Sequence, residues 1–189
     1  MSDAFFKYVS LKETLFSKLS YDENGRLLLG NVIVLIVPRR IFSTVQKSIS
    51  DILGDGCAAL VMYNAGYSIG YDVLSKVIEK FSNDIRSAFE FFMTILTTRG
   101  WGELKIVEFD TDKNTYRVQV RSSYGEDLKP SRRAVCHFIR GLLTGSLQCL
   151  TDSRGKDVKL YSRETKCVAK GDPYCEFLIA EVKKFAKIT

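Results

Sequence analysis

The chain has 189 residues, of which 46% are hydrophobic and 26% charged, and its formal net charge is +6. This length and balance suit a single globular domain over residues 1–189 and exclude an intrinsically disordered chain. No apolar run approaches the roughly 20 residues that cross a bilayer, and the N-terminus lacks the features of a secretory signal. We therefore expect a soluble, cytoplasmic protein.

The positive charge is dispersed along the sequence. Short basic clusters at Pro38–Arg40, Ser131–Arg133 and Lys183–Lys187 are separated by acidic residues. The sequence has no recognisable helix-turn-helix, zinc-finger or RNA-binding sheet motif. We therefore expect neither nucleic acid nor a membrane as a partner. The five cysteines are an odd number, and in a cytoplasmic chain they favour buried, metal-bound or reactive side chains over disulfides.

The N-terminal segment is more apolar than a free tail. Residues 1–23 fit an amphipathic helix or a dimerisation arm. Its apolar side chains include Phe5, Phe6, Leu15 and Phe16. Residues 24–38 then carry two β-rich runs separated by Gly30–Asn31, which predicts a hairpin closed by Pro38.

Hydrophobic residues at spacings of three and four predict helices from Ile41 onward. The first ends at Gly54, because glycine is a common stop after a helix. The second, over Cys57–Phe81, is apolar on most faces and contains small residues such as Gly66 and Gly70. We expect this helix to lie centrally and to approach its neighbours closely.

The remaining elements alternate between helix and strand patterns. A third helix is predicted to be capped by Ser82 or Asn83 and to end at Gly100. The period then changes to two, which predicts a hairpin around Thr111–Asn114. A helix over Ser131–Leu150 and two closing strands follow. This order predicts an α+β fold in which helices cover an antiparallel sheet.

One stretch, "ETKCVAKGDPYCEF", has a pattern suited to a metal. Cys167 and Cys175 stand at the two ends of a Gly-Asp-Pro loop, and Glu164 precedes the first by three residues. The loop can bring both thiols to one point, as a tetrahedral zinc site requires. Cys136, at a helix start that stabilises a thiolate, is a candidate fourth ligand; Cys149 is its substitute. Small buried cysteines on adjacent strands, or a disulfide, are the open alternatives.

Four motifs carry a resemblance to a known family. The stretches "YNAGYSIGYDV", "GWGELKIVEFD", "CHFIRGLLTG" and "ETKCVAKGDPYCEFLI" resemble, in order and spacing, the 4-vinyl reductase-type domain. That family is related to the sensor domains of aromatic-responsive activators and to subunits of the TRAPP trafficking complex. The resemblance runs from about Gly25 to Val182. It implies a ligand-binding fold of the type shared by nitric-oxide signalling and Golgi-transport proteins.

The resemblance also implies a zinc ion. In the aromatic-sensing relatives, three cysteines and a glutamate hold a structural zinc, and by motif these ligands fall on Cys136, Glu164, Cys167 and Cys175. Four protein ligands leave no open position for water, so the implied site is structural and not catalytic. Basic residues nearby in sequence are expected to offset the charge of the ligands. They are Arg132, Arg133, Arg140, Lys166 and Lys170.

A further implication is an apolar pocket between the helices and the sheet. Trp101 matches the tryptophan that holds the phenolic hydroxyl in the aromatic sensors, whereas the accompanying histidine has no counterpart. The only histidine, His137, adjoins a proposed zinc ligand, which argues against phenol as the ligand. The residues predicted to line the pocket are Tyr63, Tyr67, Tyr71, Phe89, Phe92, Met93 and Trp101. The alternative is that they fill the core.

Catalytic patterns are missing from the sequence. We find no nucleophile with a base, no paired carboxylates and no phosphate loop, and one histidine offers little acid–base capacity near neutral pH. We therefore predict no enzyme, but a zinc-stabilised sensor or carrier of a small apolar or aromatic ligand, acting as a homodimer with a separate signalling partner. The alternative is a protein-interaction scaffold similar to TRAPP subunits. An accessory role in tetrapyrrole biosynthesis is a third hypothesis.

Overall fold

The computed structural model describes residues 17–81 and 84–185. It begins with a three-stranded antiparallel sheet of β1 (Leu19–Tyr21), β2 (Leu27–Leu29) and β3 (Val32–Ile33). The predicted turn at Gly30 is confirmed, and its φ of +60° is a left-handed conformation that favours glycine. Most of the predicted N-terminal helix or arm lies outside the described residues, and its last part forms strand β1 instead of a helix.

Three helices follow: α1 (Arg40–Leu53), α2 (Asp55–Ile78) and α3 (Ile85–Thr98). The predicted stop of the first at Gly54 is confirmed, with φ of +84°. Helix α3 is capped by Asp84, whose carboxylate accepts a hydrogen bond from the backbone N–H of Ser87 at 3.1 Å; the predicted caps Ser82 and Asn83 lie outside the described residues. Within those residues, none of the helices has the length and apolar character needed to span a membrane.

A four-stranded antiparallel sheet and a long helix form the second half. The elements are β4 (Glu103–Asp110), β5 (Thr115–Arg121), α4 (His137–Ser153), β6 (Leu160–Lys166), β7 (Cys175–Glu181) and the short α5 (Val182–Phe185). The strand order is β4-β5-β7-β6, so β7 lies inside the sheet between β5 and β6. The predicted hairpin, the two closing strands and the α+β class are confirmed.

Helix α4 begins later than the sequence predicts. The predicted cap, Ser131, donates its backbone N–H to the carbonyl oxygen of Ala169 at 2.8 Å, and its hydroxyl accepts from the N–H of Arg133 at 3.1 Å. These contacts hold residues 131–135 in a loop, and Cys136 becomes the residue that precedes the helix. The prediction of Ser131 as cap is wrong, and the loop brings Cys136 to its position.

Helices α2 and α4 cross with their backbones in contact. A Cβ atom added at Gly70 would lie 2.0 Å from the carbonyl oxygen of Leu142, and one added at Gly145 would lie 2.0 Å from that of Tyr67. On its other side α4 packs on β6, where Thr144 and Ser162 share a 2.6 Å hydrogen bond. Helix α2 is therefore central and closely packed, as predicted.

Candidate metal centre and ligand groove

Four side chains of ligand type converge on one buried point. Cys136 precedes α4, Glu164 lies in β6, Cys167 follows that strand and Cys175 begins β7. Their ligand atoms all lie within 4.8 Å of one another. The three cysteines are 0% exposed, and the sulfurs of Cys136 and Cys175 are 3.4 Å apart. The structure thus brings together all four residues that the sequence proposed as metal ligands.

The connection between β6 and β7 positions two of the thiols. A short 3-10 helix, Val168–Lys170, ends at Gly171, whose φ of +99° is left-handed. The carboxylate of Asp172 accepts a hydrogen bond from the backbone N–H of Cys167 at 2.8 Å. This turn reverses the chain, so Cys167 and Cys175 reach the same point from the two ends of the loop.

Glu164 gives the clearest evidence that the cluster fits a metal ion. Its Oε2 accepts a hydrogen bond from the backbone N–H of Cys136 at 3.0 Å, whereas its Oε1 is buried without a hydrogen-bond partner among the described residues. A buried polar atom without a partner costs free energy, which a metal at this point would relieve. Tetrahedral zinc with bonds of about 2.3 Å places its sulfur ligands about 3.8 Å apart. That spacing is close to the 3.4 Å between Cys136 and Cys175.

Protonation of the cluster also fits a cation. Burial raises the pKa of Glu164 to about 8. Hydrogen bonds with the other two thiols, together with burial, raise the pKa of Cys136 well above its usual value. Hydrogen bonds from Cys136 and Cys175 lower the pKa of Cys167. Negative charge is therefore confined to part of the cluster, and a bound dication would replace the protons on the rest.

The sulfurs have neighbours that the sequence analysis missed. The buried hydroxyl of Ser123 lies 3.3 Å from the sulfur of Cys175 and 3.5 Å from that of Cys136. The backbone N–H of Val168 donates to Cys175 at 3.4 Å. A Cβ at Gly125 would lie 2.6 Å from the sulfur of Cys136. The 3-10 helix Tyr124–Leu128, which Ser123 precedes, therefore packs directly against the cluster.

The other chemistry-bearing residues lie outside the four-ligand cluster. All five cysteines are free, so the disulfide alternative is not observed. Cys149 is buried on α4, where burial raises its thiol pKa to about 11, and Cys57 is exposed. Burial and then the neighbouring Arg140 lower the pKa of His137 to about 4, so its imidazole is neutral at pH 7.

Three of the predicted pocket residues lie in the core. Phe89, Phe92 and Met93 on α3 are at most 4% exposed. The ring of Phe89 lies 6.1 Å from that of Phe92 and 5.5 Å from that of Phe109 on β4. Their aromatic surfaces are therefore used in packing between α3 and the sheet.

The three predicted tyrosines lie on α2, where it faces α4. The guanidinium of Arg140 stacks 4.9 Å from the ring centre of Tyr63, and the hydroxyl of Tyr71 donates to Asp152 at 3.1 Å. Burial, followed by the proximity of Tyr63, raises the pKa of Tyr67 to about 12. This row is half-buried and its polar ends are engaged with α4.

Trp101, the seventh predicted pocket residue, borders an apolar groove of about 550 Å³ between the three-stranded sheet and α1. Its ring stacks on Phe138 at 5.0 Å and 9°, and Phe42 meets it edge-on at 4.7 Å. The groove lining includes Leu29, Val34, Leu35, Ile36, Val37, Arg39 and Arg99. None of the other six predicted residues lines this groove, and the sequence analysis missed the 34–37 segment.

Two family models match the chain. The 4-vinyl reductase-type domain matches residues 121–181, which contain the whole cluster, and a domain of unknown function, DUF5943, matches residues 18–107. The uncharacterized protein MJ0150 of Methanocaldococcus jannaschii is 30% identical over 177 residues, covering 89% of this chain and 91% of that protein.

Solved structures share the fold. The phenol-responsive sensory domain of the transcription activator PoxR, with phenol, has a TM-score of 0.75 at 17% identity, over 97% of this chain and 93% of its own. A vinyl-4-reductase family protein of M. jannaschii has a TM-score of 0.52 at 20% identity, over 79% and 84%. Trafficking protein particle complex subunit 3 of Naegleria fowleri, covalently bound to palmitic acid, has 0.54 at 13%, over 76% and 93%. With its clustered cysteines and glutamate inside the matched segment and a relative at 30% identity along nearly its whole length, the chain belongs to the 4-vinyl reductase-type domain family.

Proposed function

We propose that this protein is a zinc-stabilised domain that binds a small apolar or aromatic molecule, as a sensor or carrier and not as an enzyme. The observation that carries the proposal is the apolar groove beside Trp101, whose volume of about 550 Å³ lies within the range of ligand pockets. The groove is joined to the cluster, because Trp101 stacks on Phe138, two residues after Cys136.

The proposed role of zinc is structural. Cys136, Glu164, Cys167 and Cys175 would hold it and would tie the β6–β7 connection to the start of α4. A bound dication supplies folding free energy in such a site, because the unfolded chain does not preform it. The buried, unpartnered Oε1 of Glu164 supports this assignment.

The fold relatives support a ligand of this class. PoxR was solved with phenol and the TRAPP subunit with palmitic acid, an aromatic and an aliphatic molecule. In this chain the groove has the matching character, since aliphatic side chains and two aromatic rings line it. Its two arginines, Arg39 and Arg99, offer hydrogen-bond donors to a polar group on the ligand.

Trp101 is the only tryptophan, so its fluorescence reports on the groove. Titration of the purified chain with phenol, with palmitic acid and with anilinonaphthalene sulfonate should give a saturable change in emission for at least one probe. Val37→Asp, which places a charge in the groove, should abolish that change. Val107→Asp is the matched control, because Val37 and Val107 are similarly exposed, at 41% and 48%. Equal binding by both variants, or no saturable response, would contradict the proposal; native mass spectrometry checks for a co-purified molecule.

A second candidate function, a protein-interaction scaffold similar to TRAPP subunits, is favoured by exposed apolar side chains around the groove and α1. Leu35 is 85% exposed, Ile36 73%, Ile52 78% and Leu53 62%. Contiguous apolar surface of this kind commonly marks an interface. We propose that it serves a homodimer or a separate signalling partner. Analytical ultracentrifugation at micromolar concentration should show a dimer that Leu35→Ser with Ile36→Ser weakens; a monomer at all concentrations would remove the homodimer.

A further inference from the structure

A second cavity, of about 540 Å³, lies between the α1–α2 corner and the loop that leads to Cys136. Helix α1 contributes Lys47, α2 contributes Asp55 from its first turn, and the loop contributes Arg132 and Arg133. Its lining shares no residue with that of the groove beside Trp101. It is therefore a separate site, with a different chemical character.

The charged groups of this cavity are mostly positive. Lys47, Arg132 and Arg133 are exposed, and within residues 17–81 and 84–185 none of the three forms an ion pair. The carboxylate of Asp55 is hydrogen-bonded by the hydroxyl of Ser50. Three cations and one carboxylate leave a net positive charge of two that no described side chain neutralises.

The loop that presents the arginines is fixed by hydrogen bonds. Ser131 donates its backbone N–H to the carbonyl of Ala169 at 2.8 Å and accepts the N–H of Arg133 through its hydroxyl. The side-chain amide of Gln46 donates to the carbonyl of Val135 at 2.9 Å, which ties the loop to α1. A site whose backbone is held in this way loses less entropy when a ligand binds.

The rest of the lining suits a carbon skeleton with polar groups. Leu128, Ala58 and Ala134 provide apolar surface. His137 also lines the cavity, and its Nδ1 is buried without a hydrogen-bond partner in the described part of the chain. The cavity thus combines an unbalanced positive charge with apolar contacts and an unused polar atom.

We infer that this cavity binds a small phosphorylated organic molecule, with its phosphate held by Arg132, Arg133 and Lys47. Guanidinium groups match the geometry of phosphate oxygens and form charge-assisted hydrogen bonds to them. A phosphate monoester carries a charge of about −1.5 to −2 at pH 7, which balances the charge of the lining. Asp55 and Ser50 face the same cavity and would take hydroxyl groups of the organic part.

Isothermal titration calorimetry of the full chain as purified tests the inference, with ribose 5-phosphate, ribose and inorganic phosphate at one fixed ionic strength. Ribose 5-phosphate should bind and ribose should not. Arg132→Ala with Arg133→Ala should weaken binding of ribose 5-phosphate by roughly tenfold or more, because charge-assisted hydrogen bonds are lost. Lys80→Ala with Lys105→Ala removes the same charge from exposed residues outside the cavity lining and should leave the affinity unchanged.

Each other outcome is decisive. Equal weakening by the two double variants would mean non-specific attraction and would overturn the site, as would a wild-type chain that binds neither phosphate compound. Binding of inorganic phosphate alone, through the same arginines, would support the anion site and overturn the organic part of the ligand. Circular dichroism and metal content should be unchanged in Arg132→Ala with Arg133→Ala, since both side chains are exposed.

Discussion

The metal cluster and the apolar groove are neighbouring regions built in opposite ways. At the cluster, Cys136, Cys167 and Cys175 are 0% exposed and lie within contact distance of one another. At the groove, Leu35 and Ile36 are 85% and 73% exposed and belong to a segment, 34–37, outside any strand or helix.

This difference separates stability from binding. Buried groups that depend on each other unfold together, whereas a segment with few buried contacts opens at low free-energy cost and adapts to a ligand. We therefore expect changes at the cluster to alter the free energy of unfolding and changes at the groove to alter binding. The predictions below test that division.

The largest effect is expected when a ligand of the cluster is removed. Cys175→Ser should abolish stoichiometric zinc binding and lower the free energy of unfolding by several kcal/mol, of the order seen when a structural metal site is lost. Metal analysis and thermal unfolding measure the two effects. Cys57→Ser is the control, because Cys57 is exposed and outside the cluster. A Cys175→Ser chain that keeps one zinc would contradict the assignment.

Zinc affinity should depend on pH. Because the metal-free pKa of Glu164 is about 8 and that of Cys136 is raised, zinc has to displace protons near neutral pH. Apparent affinity should therefore fall as pH falls, by about tenfold per unit for each proton displaced. Competition with a chelator at pH 8 and pH 6 should show a loss of at least about 100-fold, after correction for the chelator's own protonation. An affinity independent of pH would mean that the ligands are already ionised.

A smaller effect is expected from packing beside the cluster. Gly125→Ala would place a Cβ 2.6 Å from the sulfur of Cys136, so we expect a loss of about 1–3 kcal/mol in the free energy of unfolding and weaker zinc binding. Gly56→Ala is the same chemical change in open space, since nothing lies within 4 Å of its added Cβ. Urea denaturation should show a change within about 0.5 kcal/mol for that control. Similar losses for both variants would show that the cluster tolerates displacement.

The sequence predicted the elements and the ligand set for local reasons. Changes of hydrophobic period are read within a few residues, and Glu164, Cys167 and Cys175 lie in one short stretch. The start of α4 was missed because the contact that keeps Ser131 out of the helix comes from Ala169, a residue distant in the chain. Ser123 was missed for the same reason, since only folding places it beside the sulfurs.

The pocket could not be derived from spacing. Periodicity shows which face of a helix is apolar, but it does not show whether a neighbour fills the space. Phe89 and Phe92 are packed against the sheet, whereas Trp101 borders a groove whose other side is the irregular segment 34–37. That boundary depends on how two distant segments meet, and no pattern along the chain encodes it.

The smallest effect on stability is expected where the two regions are joined. Arg39 lines the groove and forms ion pairs with Asp127 at 2.9 Å and Glu126 at 3.1 Å, on the 3-10 helix that packs against the cluster. A double-mutant cycle of Arg39→Ala and Asp127→Asn should give a coupling energy of about 0.2–1 kcal/mol, because both side chains are partly exposed, and the coupling should shrink as salt increases. A coupling above about 2 kcal/mol exceeds what a surface pair supplies; it would mean that groove and cluster unfold as one unit, and that a ligand bound at Trp101 is sensed directly by the metal site.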